Sequence, residues 1–186
     1  MQRSASQTVG PFFLDALIHA GDEIIAKPGA VGESIIIEGK VLDAEGNAVS
    51  DALLEIFQAD ATGRYVADST EARSGSCFTG FGRAGTDLSG AFRFTTVYPA
   101  VVSAEDGGSE APHLNLMVFA RGLLKPLVTR IYFEKDVGNA QDPLLAQIPA
   151  NRRSTLEAHR VAGGEPGVWR FDVRLQGKGE TVFFEF

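Results

Sequence analysis

Short segments of alternating apolar and polar residues, separated by turn-forming residues, recur along this chain and constrain its fold more than any other feature. SIIIEGKVL (34–42) alternates and is β-branched, the pattern of a strand with one buried face. Asp43, Gly46 and Asn47 supply turn residues after it. LLEIFQA (53–59) places Leu53, Glu55, Phe57 and Ala59 on one face and Leu54, Ile56 and Gln58 on the other. GAFRFTTV (90–97), APHLNLMVFARG (111–122), PLVTRIYFE (126–134), GVWRFDVRLQG and the closing ETVFFEF read the same way. Helix-friendly composition occurs in one region, 142–160, where Pro149 predicts two short pieces. Many short strands with turn signals and little helix predict an all-β chain folded as a β-sandwich.

Residues 1–32 lack clear alternation and read as an ordered N-terminal arm, in which FFLDALIHA supplies a helical turn or two; 33–186 reads as one sandwich domain. The segments 60–90 and 98–112 are rich in small and polar residues and read as long loops. Functional residues on a sandwich are expected in such loops. With 186 residues and 44% hydrophobic composition, the chain is long enough to bury its own core. A net charge of −7 argues against nucleic-acid or anionic-membrane partners. No apolar run approaches the ~20 residues of a membrane span. The N-terminus lacks a signal-peptide pattern, and Cys77 is the single cysteine. A cytoplasmic protein without disulfides is the expectation.

The chemistry-bearing candidates are few. His113, Asn115 and Met117 share one strand face, and an H-x-H pair on such a face offers two imidazoles to one metal; here the second position is Asn115. Tyr65 follows a strand, where a ferric ion would draw off its proton well below the free pKa of ~10. Read from residues alone, Tyr65 is a surface or half-buried tyrosine and His113 a hydrogen-bonded histidine at a loop end. Arg130 sits inside an apolar strand. It faces either solvent, which alternation allows, or a carboxylate, which its planar fork suits. Gly10 and Pro11 in TVGPFF read as a turn. No phosphate loop, nucleophile elbow or cysteine-based metal motif is present.

Taken together and in order, SQTVGPFF, GKVLDAEGNAVSDALLEIFQADATGRY, FGRAGTDLSGAFRFTTVYP, APHLNLMVFARG, TRIYFE and the later WRFDVRLQG resemble the intradiol ring-cleavage dioxygenases. The resemblance implies a sandwich fold and a non-haem Fe(III) held by two tyrosines and two histidines. Carried over by position, those ligands fall on Tyr65, on Ala100 (with Tyr98 two residues early), and on either His113 and Asn115 or Asn115 and Met117. The set is broken in either frame, because an amide or a thioether replaces imidazole poorly on a hard cation. The pattern fits heteromeric members in which a non-iron α chain pairs with a homologous β subunit that carries the iron. In those members the α arm, here Thr8, Gly10 and Pro11, and the arginine of the TRIYF strand, here Arg130, line a substrate cavity shared with the partner. The implied substrates are O2 and an anionic aromatic diol such as protocatechuate, and the implied assembly is a higher-order αβ oligomer. Phe12, Phe13 and Leu14 are candidates for the partner surface. Two alternatives stand beside this reading: a self-sufficient dioxygenase using Tyr65, Tyr98 and His113, and a non-catalytic transthyretin-like module.

Overall fold

A computed structural model describes residues 5, 7–10, 12–66, 77–103, 108–163 and 167–185. Eleven strands are present among them: β1 (Ser34–Leu42), β2 (Leu53–Gln58), β3 (Phe81–Gly85), β4 (Ala91–Val97), β5 (Val102–Ser103), β6 (Ser109–Glu110), β7 (His113–Phe119), β8 (Leu127–Phe133), β9 (Glu157–Arg160), β10 (Val168–Arg170) and β11 (Val173–Arg174). Three short helices accompany them: α1 (Phe13–Leu17), α2 (Pro143–Gln147) and α3 (Ala150–Arg153). Nine strands form one curled sheet in the order β11-β1-β10-β9-β8-β7-β2-β3, with β4 antiparallel to β1 on its free side. The all-β sandwich and the helices near 142–160 are as the sequence predicts.

Alternation decides the packing. On β1, Ile35, Ile37 and Val41 face inward, and on β2, Leu54 and Ile56 do so. They meet Phe92 and Phe94 of β4, Leu114, Leu116 and Val118 of β7, and Ile131 and Phe133 of β8 in one continuous core. Gln58 is fully buried within it. Its amide donates to the carbonyls of Ala59 and Val97, both at 3.0 Å, and its oxygen accepts from Thr96 Oγ1 at 2.6 Å. With every polar group paired, the side chain pins β2 to β4 rather than destabilising the core. A second, smaller cluster of Ala111, Tyr132, Leu145 and Leu156 lies where the short helices pack, with Val182 and Phe184 against it.

Residues 22–27 close the gap between β3 and β4. Ile25 N–H donates to Thr95 of β4 (2.8 Å), and Ile25 C=O accepts from Thr79 (2.9 Å). Lys27 N–H donates to Cys77 (2.7 Å), Asp22 C=O accepts from Arg83 (2.9 Å), and Ile25 is fully buried. The segment therefore satisfies edge groups that would otherwise be open to a foreign strand.

Four details depart from the sequence expectations. The 60–90 segment is not a loop with little core: it contributes Phe78, Ala84 and strand β3. Glycines hide that strand, and the structure requires them. A Cβ on Gly82 would lie 2.5 Å from Ile25, and one on Gly85 would lie 2.9 Å from Ile18 and 3.0 Å from Leu14, so the arm packs into the space they leave. Within 98–112, Val102 and Ser103 pair with Ser109 and Glu110 as a small hairpin. The helix-friendly 142–160 stretch ends in β9, which joins β8 to β10. ETVFFEF makes a single bridge, Phe184 to Val128, rather than a strand.

Candidate functional site

The faces of β2, β7 and β8 that point away from the main core carry the site. Register places Phe57, Asn115 and Arg130 in one cross-strand row, and His113 opposite Tyr132 in the next. Tyr65, from the loop after β2, lies over them with its ring stacked on Phe57 at 4.9 Å. Asp60 shapes that loop. Its carboxylate accepts from the backbone N–H groups of Thr62 and Arg64 and from Thr62 Oγ1.

The hydrogen bonds have one consistent direction. His113 Nδ1 lies 2.8 Å from the Ala111 carbonyl, which only accepts, so the ring proton is on Nδ1. Nε2 is then an acceptor and takes the Tyr65 hydroxyl proton at 3.2 Å. Asn115 Nδ2 donates to Tyr65 Oη at 3.2 Å and to the Phe57 carbonyl at 3.3 Å. Asn115 Oδ1 accepts from Arg130 Nε at 3.2 Å. Arg130 Nη1 meets Glu110 Oε2 at 2.9 Å and Tyr132 Oη at 3.4 Å. Tyr132 in turn donates to Asp142 at 3.2 Å.

Burial sets the charge states. It lowers the His113 pKa, and the Arg130 cation adds to the effect, so the imidazole is neutral. Glu110, 3.5 Å from His113 Nε2, pairs instead with Arg130. Burial raises the Tyr65 pKa beyond what Asn115 and Arg130 restore, so the phenol keeps its proton. Burial works against the Arg130 charge as well, but Tyr132 and Glu110 hold its pKa above the ordinary value.

Of the positions singled out in the sequence, Tyr65, His113, Asn115 and Arg130 converge here. Met117 lies one row on, opposite Glu55 and Val128, so the 113/115 frame is the one that meets Tyr65. Ala100 offers only a methyl group, and its N–H donates to Asp60 C=O. Tyr98 packs on Phe133 and Trp169 and donates to Asp136 at 2.8 Å. Among the described residues it makes no hydrogen bond or ring stacking with Tyr65 or His113. Of the two readings of Arg130, the guanidinium facing a carboxylate is the one seen, and the carboxylate is Glu110 of the same chain.

Thr8 and Gly10 are elsewhere: Thr8 Oγ1 accepts from Gly122 N–H (2.7 Å), at the turn after β7. Pro11 lies outside the described residues. Of the arm's apolar candidates, Phe12 is exposed, whereas Phe13 packs on Phe119 and Leu14 lies against Gly85. Sequence reasoning missed Glu110, Tyr132 and Asp142. Two signals were available: strand alternation puts Tyr132 on the face of Arg130, and Asp-Pro opening a helical stretch is an N-cap with proline at N1.

The donors present do not fit a ferric ion. Tyr65 and His113 are bonded to each other, the Asn115 oxygen is taken by Arg130, and a guanidinium occupies the space beside them. A hard trivalent cation there would meet a protonated phenol, an amide and a fixed positive charge.

A family model described as Dioxygenase matches residues 8–177. The chain is 45% identical to the protocatechuate 3,4-dioxygenase alpha chain of Burkholderia cepacia, over 100% of this chain and 98% of that one. It is 32% identical to the beta chain from the same organism, over 81% of this chain and 68% of that one. Among solved structures, it resembles the dioxygenase domain of a dioxygenase–carbohydrate-binding fusion from Streptomyces sp. SirexAA-E. There the TM-score is 0.65 at 24% identity, covering 83% of this chain and 87% of that one. The match along most of the chain, the identity to an alpha chain and the curled sheet agree: this chain belongs to the intradiol ring-cleaving dioxygenase family.

Proposed function

We propose that this chain is the α subunit, without iron of its own, of a protocatechuate 3,4-dioxygenase. The family is generally dependent on non-haem iron, and likeness to both an alpha and a beta chain implies an α/β partnership. In this reading the Fe(III) belongs to the homologous β subunit. The complex inserts both atoms of O2 between the two hydroxyl-bearing ring carbons of protocatechuate. The product is 3-carboxy-cis,cis-muconate, a step of aromatic catabolism that needs no external reductant.

One observation carries the reading. The cleft where ligands are expected holds an arginine cross-linked to the remaining donors, in a chain that aligns end to end with an alpha chain. Arg130 is the group this site offers to a shared cavity, which it shapes and helps to close to water; the arm residues Thr8, Gly10 and Pro11 are assigned to that cavity by the family resemblance, with Thr8 seated at the turn after β7. Exposed Phe12, 78% accessible, suits burial against the partner. No helix among the described residues is long and apolar enough to cross a membrane. The self-sufficient alternative loses its third ligand, because Tyr98 is committed to Asp136.

Oxygen uptake tests the proposal. The isolated chain should consume no O2 with protocatechuate, and its complex with the β subunit should consume O2 and protocatechuate in equal amounts. Uptake by the isolated chain would refute it.

A further inference from the structure

The polar contacts of the cleft form a closed circuit. It runs from Asp142 to Tyr132, Arg130, Asn115, Tyr65, His113 and Ala111, and returns to Asp142 through the Ala111 N–H. Asp142 is fully buried and saturated. Oδ1 accepts from Leu144 N–H and Leu145 N–H, both at 2.9 Å, and from Tyr132 at 3.2 Å; Oδ2 accepts from Ala111 N–H at 2.9 Å. A carboxylate only accepts, so Tyr132, itself fully buried, must give it its single proton. The Tyr132 oxygen is then left to accept from Arg130 Nη1. The guanidinium is thereby fixed at two nitrogens, Nε by Asn115 and Nη1 by Glu110 and Tyr132. Nη2 has no protein partner among the described residues, and the side chain is 15% exposed.

We infer that Asp142 is a positioning residue: through the Tyr132 hydroxyl it orients Arg130 so that the Nη2 edge faces the substrate cavity of the αβ complex. This rests on the reading of Arg130 as a cavity residue. Fixing the side chain before substrate arrives removes an ordering cost from binding. The same carboxylate caps α2 and holds the start of β7, so helix, strand and guanidinium share one anchor.

Tyr132→Phe isolates the proposed link, because it removes one oxygen and leaves the three backbone donors to Asp142 in place. The test uses the αβ complex in steady-state turnover of protocatechuate, with assembly confirmed by mass. The expected result is a KM raised about fivefold, the loss of one hydrogen bond's orientation, with little change in kcat. Asp142→Asn should move KM in the same direction. In an Arg130→Ala background, which itself raises KM, adding Tyr132→Phe should change nothing further. An equal rise in both backgrounds, or an unchanged KM for Tyr132→Phe alone, would overturn the proposal while leaving Arg130 in the cavity. An unchanged KM for Arg130→Ala would instead remove Arg130 from the cavity, and the positioning role with it.

Discussion

The two faces of β7 and β8 are made by alternate residues of the same two strands, and they do opposite things. Toward the core, Leu114, Leu116, Val118, Ile131 and Phe133 are fully buried among apolar neighbours. Toward the cleft, His113, Asn115, Arg130 and Tyr132 bond to one another and to Tyr65, Glu110 and Asp142. The apolar face is non-directional and is sensitive chiefly to changes of volume. The polar face depends on direction and on pairing, so each member matters through the partner it leaves unsatisfied. With the backbone geometry set by the core side, the cleft side is free to carry a network of paired polar and charged groups.

Deleting volume on the core face should have the largest effect. Leu116→Ala is expected to cost about 3 kcal/mol and to lower Tm by roughly 10 °C, with the cleft's hydrogen bonds unchanged. A cost under about 1 kcal/mol in denaturant unfolding would mean that the strand geometry is set elsewhere. Next comes Asp142→Ala, which removes the α2 cap and strands Ala111 N–H and the Tyr132 hydroxyl; about 2 kcal/mol is expected by the same measurement. Asn115→Ala leaves Arg130 Nε without its partner and Tyr65 without one of its two, and about 1 kcal/mol should be lost, because the guanidinium stays paired at Nη1 and Tyr65 keeps His113. Were Asn115→Ala to cost as much as Leu116→Ala, the cleft would be holding the fold together and the contrast between the faces would fail.

The smallest expected effect is one of pH. The His113 pKa is depressed below its ordinary 6.5 by burial first and then by Arg130, against the opposing pull of Glu110 and Asp142. The unfolded chain therefore binds the proton more readily than the folded one. The stability linked to His113 is fully present above the unfolded value and is lost as pH falls through the lower folded value. Thermal unfolding between about pH 7.5 and 5 should show the native chain losing Tm faster than His113→Gln. Parallel curves would show that His113 titrates as it does in the unfolded chain.

Much of this was legible in the sequence, for physical reasons. Alternation exposed β1, β2, β4, β7 and β8, because each has one face in the core. It failed for β3, whose glycines are dictated by Leu14, Ile18 and Ile25 packing above them, and for β9, four residues long behind two helical turns. Tyr65, His113 and Asn115 could be picked out as residues, but not as partners bonded to one another. That relation requires the loop from Asp60 to fold over β7, which no local pattern encodes. Glu110 carried no signal, since an acidic residue at a loop end is ordinary; only the structure shows it at Arg130. The transthyretin-like alternative saw the opening strands correctly, but it gives no role to the circuit around Arg130.

Iron content decides the central claim most directly. This chain, purified alone and then with its β subunit, can be assayed for iron by elemental analysis. With Tyr65 and His113 bonded to each other and Arg130 beside them, iron should be near zero in the isolated chain and about one per αβ pair in the complex. Near-stoichiometric iron in the isolated chain would contradict this: the circuit around Arg130 would have to open to admit a metal, and the chain would be a dioxygenase in its own right.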